Sequence, residues 1–115
     1  MTYGEYNIKR IISTYGSSAN VTTNNMAYDT KAFVEPLKLR HRIYMSDEDK
    51  KLIETLKKTS QNGYLLYIGP DDVPIDETSI VVYKSNTYHV VSSEKARISK
   101  KNNYVWAVLE PVQNG

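Results

Sequence analysis

Carboxylates, histidines and clustered basic residues are the side chains with chemistry to offer in this chain. Asp71-Asp72 and Asp76-Glu77 flank Pro74. Four carboxylates this close suit a hard cation. A calcium loop, however, needs Asp or Asn at alternate positions, Gly at the sixth and Glu at the twelfth, and that spacing is absent. The plainer reading is that these residues form turns. A glycosidase needs two carboxylates facing each other across a cleft, and nothing in the spacing singles out a pair.

The two histidines are isolated. His41 lies in the basic run Lys38-Leu39-Arg40-His41-Arg42, and His89 lies inside a β-rich run. There is no HxH or HExxH spacing, so zinc chemistry has no ligand set. His89 reads as a residue on the polar face of its strand. There is no GxSxG elbow, phosphate-binding glycine loop or GxGxxG. The chain has no cysteine, which removes disulfides, thiolate zinc sites and a cysteine nucleophile. The sequence therefore gives no catalytic, metal-binding or cofactor-binding residues, and a non-enzymatic role is the expectation.

Basic residues are the remaining candidates. Lys38, Arg40 and Arg42 alternate, which on an extended segment places all three on one face. With His41 they form one candidate contact for a partner or for DNA. Lys95, Arg97, Lys100 and Lys101 form the second, on the connection Glu94–Asn103. Phosphate contact by such clusters is independent of base sequence and falls steeply with salt. The net charge of +2 is too mild to imply a nucleic-acid partner by itself.

These clusters need a scaffold. With 115 residues, one domain over 1–115 is expected, able to bury about two thirds of its unfolded surface. The longest apolar runs are roughly five or six residues, against the roughly 20 that span a bilayer, so no membrane segment is expected. The first residues show no basic stretch followed by an apolar one, so no secretory signal is expected.

Residues 5–15 read as a helix, with Ile8, Ile11, Ile12 and Tyr15 on one face and Gly16 in a left-handed position past its end. Ser17 to Asn25 is polar and reads as a loop with at most a brief strand. Lys31 to Pro36 reads as a strand ending at a proline. Residues 46–61 read as a second helix, capped by Ser46 and carrying acidic residues in its first turn. Four β-rich runs follow: Tyr64–Ile68, Ser79–Tyr83, Thr87–Val91 and Tyr104–Leu109, with a tight turn at Ser85-Asn86.

The fold expected is mainly β with some α. It is a small antiparallel β-barrel of SH3 or OB-like size, with an N-terminal helix and a helical insertion between early strands. The barrel takes 28–36 and 64–112, and a loop plus the helical insertion takes 37–62. The expected core is Phe33, Leu66, Ile68, Ile80, Val82, Tyr88, Val90, Trp106 and Val108. Ten tyrosines against one phenylalanine suit half-wet positions such as a subunit interface.

The order of short motifs is more specific than any one of them. Lys31-Ala32-Phe33-Val34-Glu35-Pro36 is followed by Tyr67-Ile68-Gly69-Pro70, then Ile75 to Val82, Tyr88-His89-Val90-Val91 and Tyr104-Val105-Trp106-Ala107-Val108-Leu109. This succession, over roughly residues 28–112, resembles the small head–tail connector proteins of tailed bacteriophages and phage-like elements, also called head-completion or stopper proteins. It departs from them at Glu77-Thr78, where Gly-Asp is frequent, and at Ser85-Asn86, where Gly-Lys is frequent. The resemblance implies a structural ring between the portal or adaptor and the tail, completing the head and retaining DNA. It implies neck-protein partners, self-association into a ring, non-specific contact with packaged DNA, and a place at the virion head–tail junction after synthesis in the bacterial cytoplasm.

Two other readings stay open. A nucleic-acid-binding barrel would use Tyr64, Tyr67, Tyr83 or Tyr88 as stacking platforms beside a basic groove. A small hydrolase or inhibitor module would need a pocket of titratable groups, and the sequence shows none.

Overall fold

The apolar spacing at the N-terminus does produce a helix, α1, over Ile8–Tyr15. The computed structural model describes residues 8–37, 63–99 and 102–112. The helix expected at 46–61 and most of the insertion 37–62 lie outside the described residues. Ile12 is buried, and α1 lies against β2 (Met26–Pro36), β3 (Leu65–Pro70) and β6 (Asn102–Pro111). Gly16 is not in a left-handed conformation. It serves close approach instead. Its N–H donates to Ile12 O at 2.7 Å, and a Cβ there would meet the Ala32 backbone at 3.0 Å.

Ser17–Thr23 is a full seven-residue strand, β1, and not the loop its polarity suggested. Its side chains alternate. Ala19, Val21 and Thr23 are buried, while Asn20 and Thr22 are half-buried on the other face. Only two of the inward residues are apolar, which is why no hydrophobic run marks the strand. Asn24 and Asn25, both at positive φ, make the two-residue turn into β2. Asparagine tolerates this region, and two successive positive φ values match the twist of a hairpin.

The other strands are β4 (Ile80–Tyr83) and β5 (Asn86–Ser99). The turn between them is Lys84-Ser85, both at positive φ, one residue earlier than the Ser85-Asn86 pair. All neighbouring strands are antiparallel, and the sheet closes as β1-β2-β3-β6-β5-β4. The fold is thus the small antiparallel barrel with an N-terminal helix that the β-rich runs implied.

The interior cluster draws on all six strands: Val21, Ala32, Tyr67, Val81, Tyr88, Val90, Ala107 and Leu109, with Val73 from the β3–β4 loop. A second cluster, Leu66, Trp106 and Val108, lies on the opposite face of β3 and β6, with Ile68, Val91 and Tyr104 against it. β6 is therefore covered on both faces, and Val105 through Leu109 are all buried. The expected alternation fails there because both sides of the strand are dry. Leu66, Tyr88, Val90, Trp106 and Val108 are core residues as expected, divided between the two clusters. Phe33 and Ile68 are half-buried. Ile80 and Val82 are 38% exposed, and Val81 between them is fully buried. An Ile-Val-Val run carries no period to say which face turns inward, and pairing of Val81 with Val21 and Tyr88 decides it.

Candidate interaction surface

β5 is the longest strand and leaves the barrel behind. Only Asn86–His89 pair with β4. From Val90 onward, among the described residues, β5 pairs with β6 alone, through register shifts at Val90/Ser92 and Arg97/Ser99. Within the stretch Glu94–Asn103, expected as a connection, Glu94 to Ser99 and Asn102-Asn103 are strand residues of this two-stranded ribbon. One face of the ribbon, through Ala96 and Tyr104, rests against the Leu66, Trp106 and Val108 cluster, while Lys95 and Arg97 on the other face give it its polarity.

Lys95 and Arg97 are exposed on this ribbon. They are two residues apart, so both side chains stand on one face. Lys95 is opposite Val105 and Arg97 opposite Asn103. The other members of the basic clusters, Lys38, Arg40, His41, Arg42, Lys100 and Lys101, lie outside the described residues.

Beside the ribbon runs a groove of about 640 Å³. One wall is the β3–β4 loop, Asp71 to Asp76, and the other is Ser93, Glu94, Lys95 and Val105, with Tyr28 at its side. The loop is tied to the strand where Ser93 Oγ donates to Ile75 O at 3.4 Å. Four carboxylates line the groove, those of Asp71, Asp72, Asp76 and Glu94, against the Lys95 ammonium. Lys9 of α1 pairs with Asp72, and this hydrogen bond raises the Lys9 pKa. That leaves three carboxylates and one ammonium. No pattern in the sequence marks the groove, because its walls come from segments far apart in the chain.

The acidic loop holds its own shape. Asp76 accepts from the Thr78 hydroxyl and from the Thr78 N–H at 2.8 Å. These bonds, the hydroxyl first, hold its carboxyl below its ordinary pKa. Asp76 N–H donates to Ser79 Oγ at 2.9 Å. Asp76 is a turn former, the plainer of its two readings. Among the described residues, no three His, Asp or Glu side chains gather as a metal site.

A second hollow, about 650 Å³, lies between α1 and the strands. The charged side chains on its rim have partners. Lys9 pairs with Asp72, Asn20 Nδ2 donates to Asp29 at 2.9 Å, and Lys31 Nζ donates to Ser18 Oγ at 3.1 Å. The groove beside β5 is the better candidate, since the Asp71, Glu94 and Lys95 that line it are exposed or half-buried.

At the opposite end of the barrel, His89 is an outward residue of β5, as its polar-face reading required. It stands opposite Glu110 on β6 and pairs with it. The Tyr64 hydroxyl donates to the other Glu110 oxygen. The Tyr64 bond first, then the His89 bond, pull the Glu110 pKa down. This cluster ties the residue before β3 to β6 and β5 and presents no nucleophile.

The tyrosines named as stacking platforms do not form one exposed face. Tyr67 and Tyr88 belong to the interior, and Tyr83 rests against it. Among the described residues, no helix is long and apolar enough to cross a membrane. No protein-family model, curated protein or solved structure matches this chain.

Proposed function

We propose that this chain is a non-enzymatic structural component of the neck of a tailed bacteriophage or phage-like element. Copies form a ring between portal or adaptor and tail, complete the head and retain its DNA. The observation that carries the reading is where the motifs fall. Lys31–Pro36 is the second half of β2, and Tyr67–Pro70 closes β3. Ile75–Val82 leads into β4, Tyr88–Val91 lies in β5, and Tyr104–Leu109 lies in β6. The motifs that resemble connector proteins thus land on successive strands of one closed barrel.

Two further observations support it. A closed barrel has no catalytic centre of its own, so its function lies in edges and loops. Here the ribbon beyond the barrel offers an exposed basic face at Lys95 and Arg97, suited to a neck protein or to DNA passing the channel.

Deleting the coding sequence from the element that carries it tests this. The expected result is heads that package DNA, lose it, and fail to join tails, with rescue by the chain supplied in trans. Normal yields of tailed, DNA-filled particles from the deletion overturn the reading.

A further inference from the structure

We propose that the groove beside β5 receives the tip of the β4–β5 hairpin, Lys84-Ser85, of a second copy of this chain. The inference deepens the ring reading and shares with it only self-association. The first support is charge. The groove carries four carboxylates, and among the described residues only that of Asp72 pairs with a cation, Lys9. Asp71, Asp76 and Glu94 then stand against Lys95. The groove therefore favours a cationic guest and disfavours a phosphate.

The second support is the chemistry of the tip. Lys84 and Ser85, both at positive φ, make a two-residue turn, a short and rigid hairpin connection. Lys84, Ser85, Asn86 and Thr87 are all exposed. Lys84 Nζ lies 5.4 Å from the centre of the Tyr83 ring, which holds the ammonium on the tip before any contact is made. Val112 joins the tip, its N–H donating to Thr87 O at 3.0 Å. Val112 and Val82 are 40% and 38% exposed. The tip is thus a cation flanked by apolar side chains. The groove is its complement, with carboxylates beside an apolar part made of Val73, Ile75 and Val105.

The third support is placement. The hairpin lies where β6 ends, since Tyr88 is opposite Pro111. The groove lies where β6 begins, since Lys95 is opposite Val105 and Pro70 opposite Tyr104. Asn86 and Lys95 are on one strand, separated by about 30 Å at about 3.3 Å per residue, so the tip cannot enter the groove of its own copy. Symmetric contacts are disfavoured. Tip on tip sets Lys84 against Lys84, and groove on groove sets carboxylates against carboxylates. Each copy thus carries both halves of a head-to-tail contact, the arrangement that closes into rings or runs on as filaments. A tip in a groove buries less than the roughly 800 Å² per partner of a standard interface, so the association is weak and concentration-dependent.

The test exploits a chain without cysteine. A full-length Ser85→Cys copy, with its thiol on the tip, is mixed with a Pro74→Cys copy, with its thiol on the exposed loop wall of the groove. The mixture is oxidised mildly at several protein concentrations. A disulfide-linked mixed dimer is expected, well in excess of the linked dimers that either copy gives alone. Adding Lys84→Glu to the tip copy should cut its yield about tenfold or more, and Asp71→Lys with Glu94→Lys in the groove copy should restore it. Melting temperatures should stay unchanged throughout. Linked dimers of the Ser85→Cys copy in equal amount, a yield indifferent to Lys84→Glu, or no recovery in the charge-swapped pair overturns the proposal. So does saturable binding of an oligolysine peptide without any mixed dimer, which gives the groove to a basic segment of another protein. None of these readouts depends on a phage component, so a failed deletion test leaves this contact standing. A failed cross-linking test leaves the neck reading with a different interface.

Discussion

The Tyr67 ring lies over the α-carbon of Gly69, two residues further along β3 on the same inward face. A Cβ added at Gly69 would run into the ring and hydroxyl of Tyr67. Tyr67 is fully buried, and its hydroxyl has no hydrogen-bond partner among the described residues. Burial, with Asp72 adding to it, pushes its pKa well above the ordinary tyrosine value. Gly69 is therefore a packing requirement of the barrel interior. Gly69→Ala should cost about 1–3 kcal/mol through overpacking. Tyr67→Phe should be neutral or slightly stabilising, since it removes an unpaired buried hydroxyl. Combining the two should recover part of the Gly69→Ala loss, because contacting residues are not additive. Urea unfolding of the three variants gives the values, and a costly Tyr67→Phe would show that the hydroxyl has a partner in solution.

Trp106 is 1% exposed and, with Leu66 and Val108, forms the cluster outside the barrel interior. Trp106→Ala should lose about 3–5 kcal/mol, the range for a large aromatic removed from a packed site. A loss below about 1 kcal/mol would mean that the site collapses around the smaller side chain. Chemical denaturation with a fixed m-value measures it.

The barrel was legible in the sequence because β3, β5 and β6 contain runs rich in β-branched and aromatic residues, the composition of strands. What was not legible has physical reasons. β1 turns Asn20 and Thr22 away from the interior and only small residues inward, so burial leaves little mark on its composition. Ile80-Val81-Val82 offers no polar residue to fix the face. The outer half of β5 sets only the small Ala96 against a hydrophobic cluster and is otherwise polar like a loop. The basic candidates Lys95 and Arg97 were visible as a charge cluster. The groove beside them was not, since Tyr28, the Asp71–Asp76 loop and Glu94 meet only through the closure of the barrel.

Glu110 joins Tyr64 to His89, and both bonds favour its ionised form. Its folded pKa lies below its ordinary value of 4.5. The sign follows from that direction. The unfolded chain takes up the proton first as pH falls, so the stability contributed by Glu110 is full above about pH 4.5 and fades as pH drops through the lower folded value. Glu110→Gln should lower the melting temperature at neutral pH, and the gap from the parent should close on acidification. The effect should be modest, because the pair is partly exposed and solvent screens it. A gap that stays constant between pH 7 and pH 3 would remove the carboxylate from the account.

Lys95 and Arg97 are exposed on the outer part of β5, so replacing both by Glu should leave the melting temperature unchanged. Their effect should appear in binding instead. If each meets one phosphate when duplex DNA lies along the ribbon, the double variant should bind more weakly. Its plot of log affinity against log salt should be shallower by roughly two, at about 0.9 per phosphate. The result should not depend on DNA sequence, because backbone contacts carry no base information. Filter binding at four salt concentrations reads both quantities. An unchanged slope would show that this face meets no phosphate, leaving Lys95 and Arg97 as the edge charges that keep two β5 strands from pairing with each other.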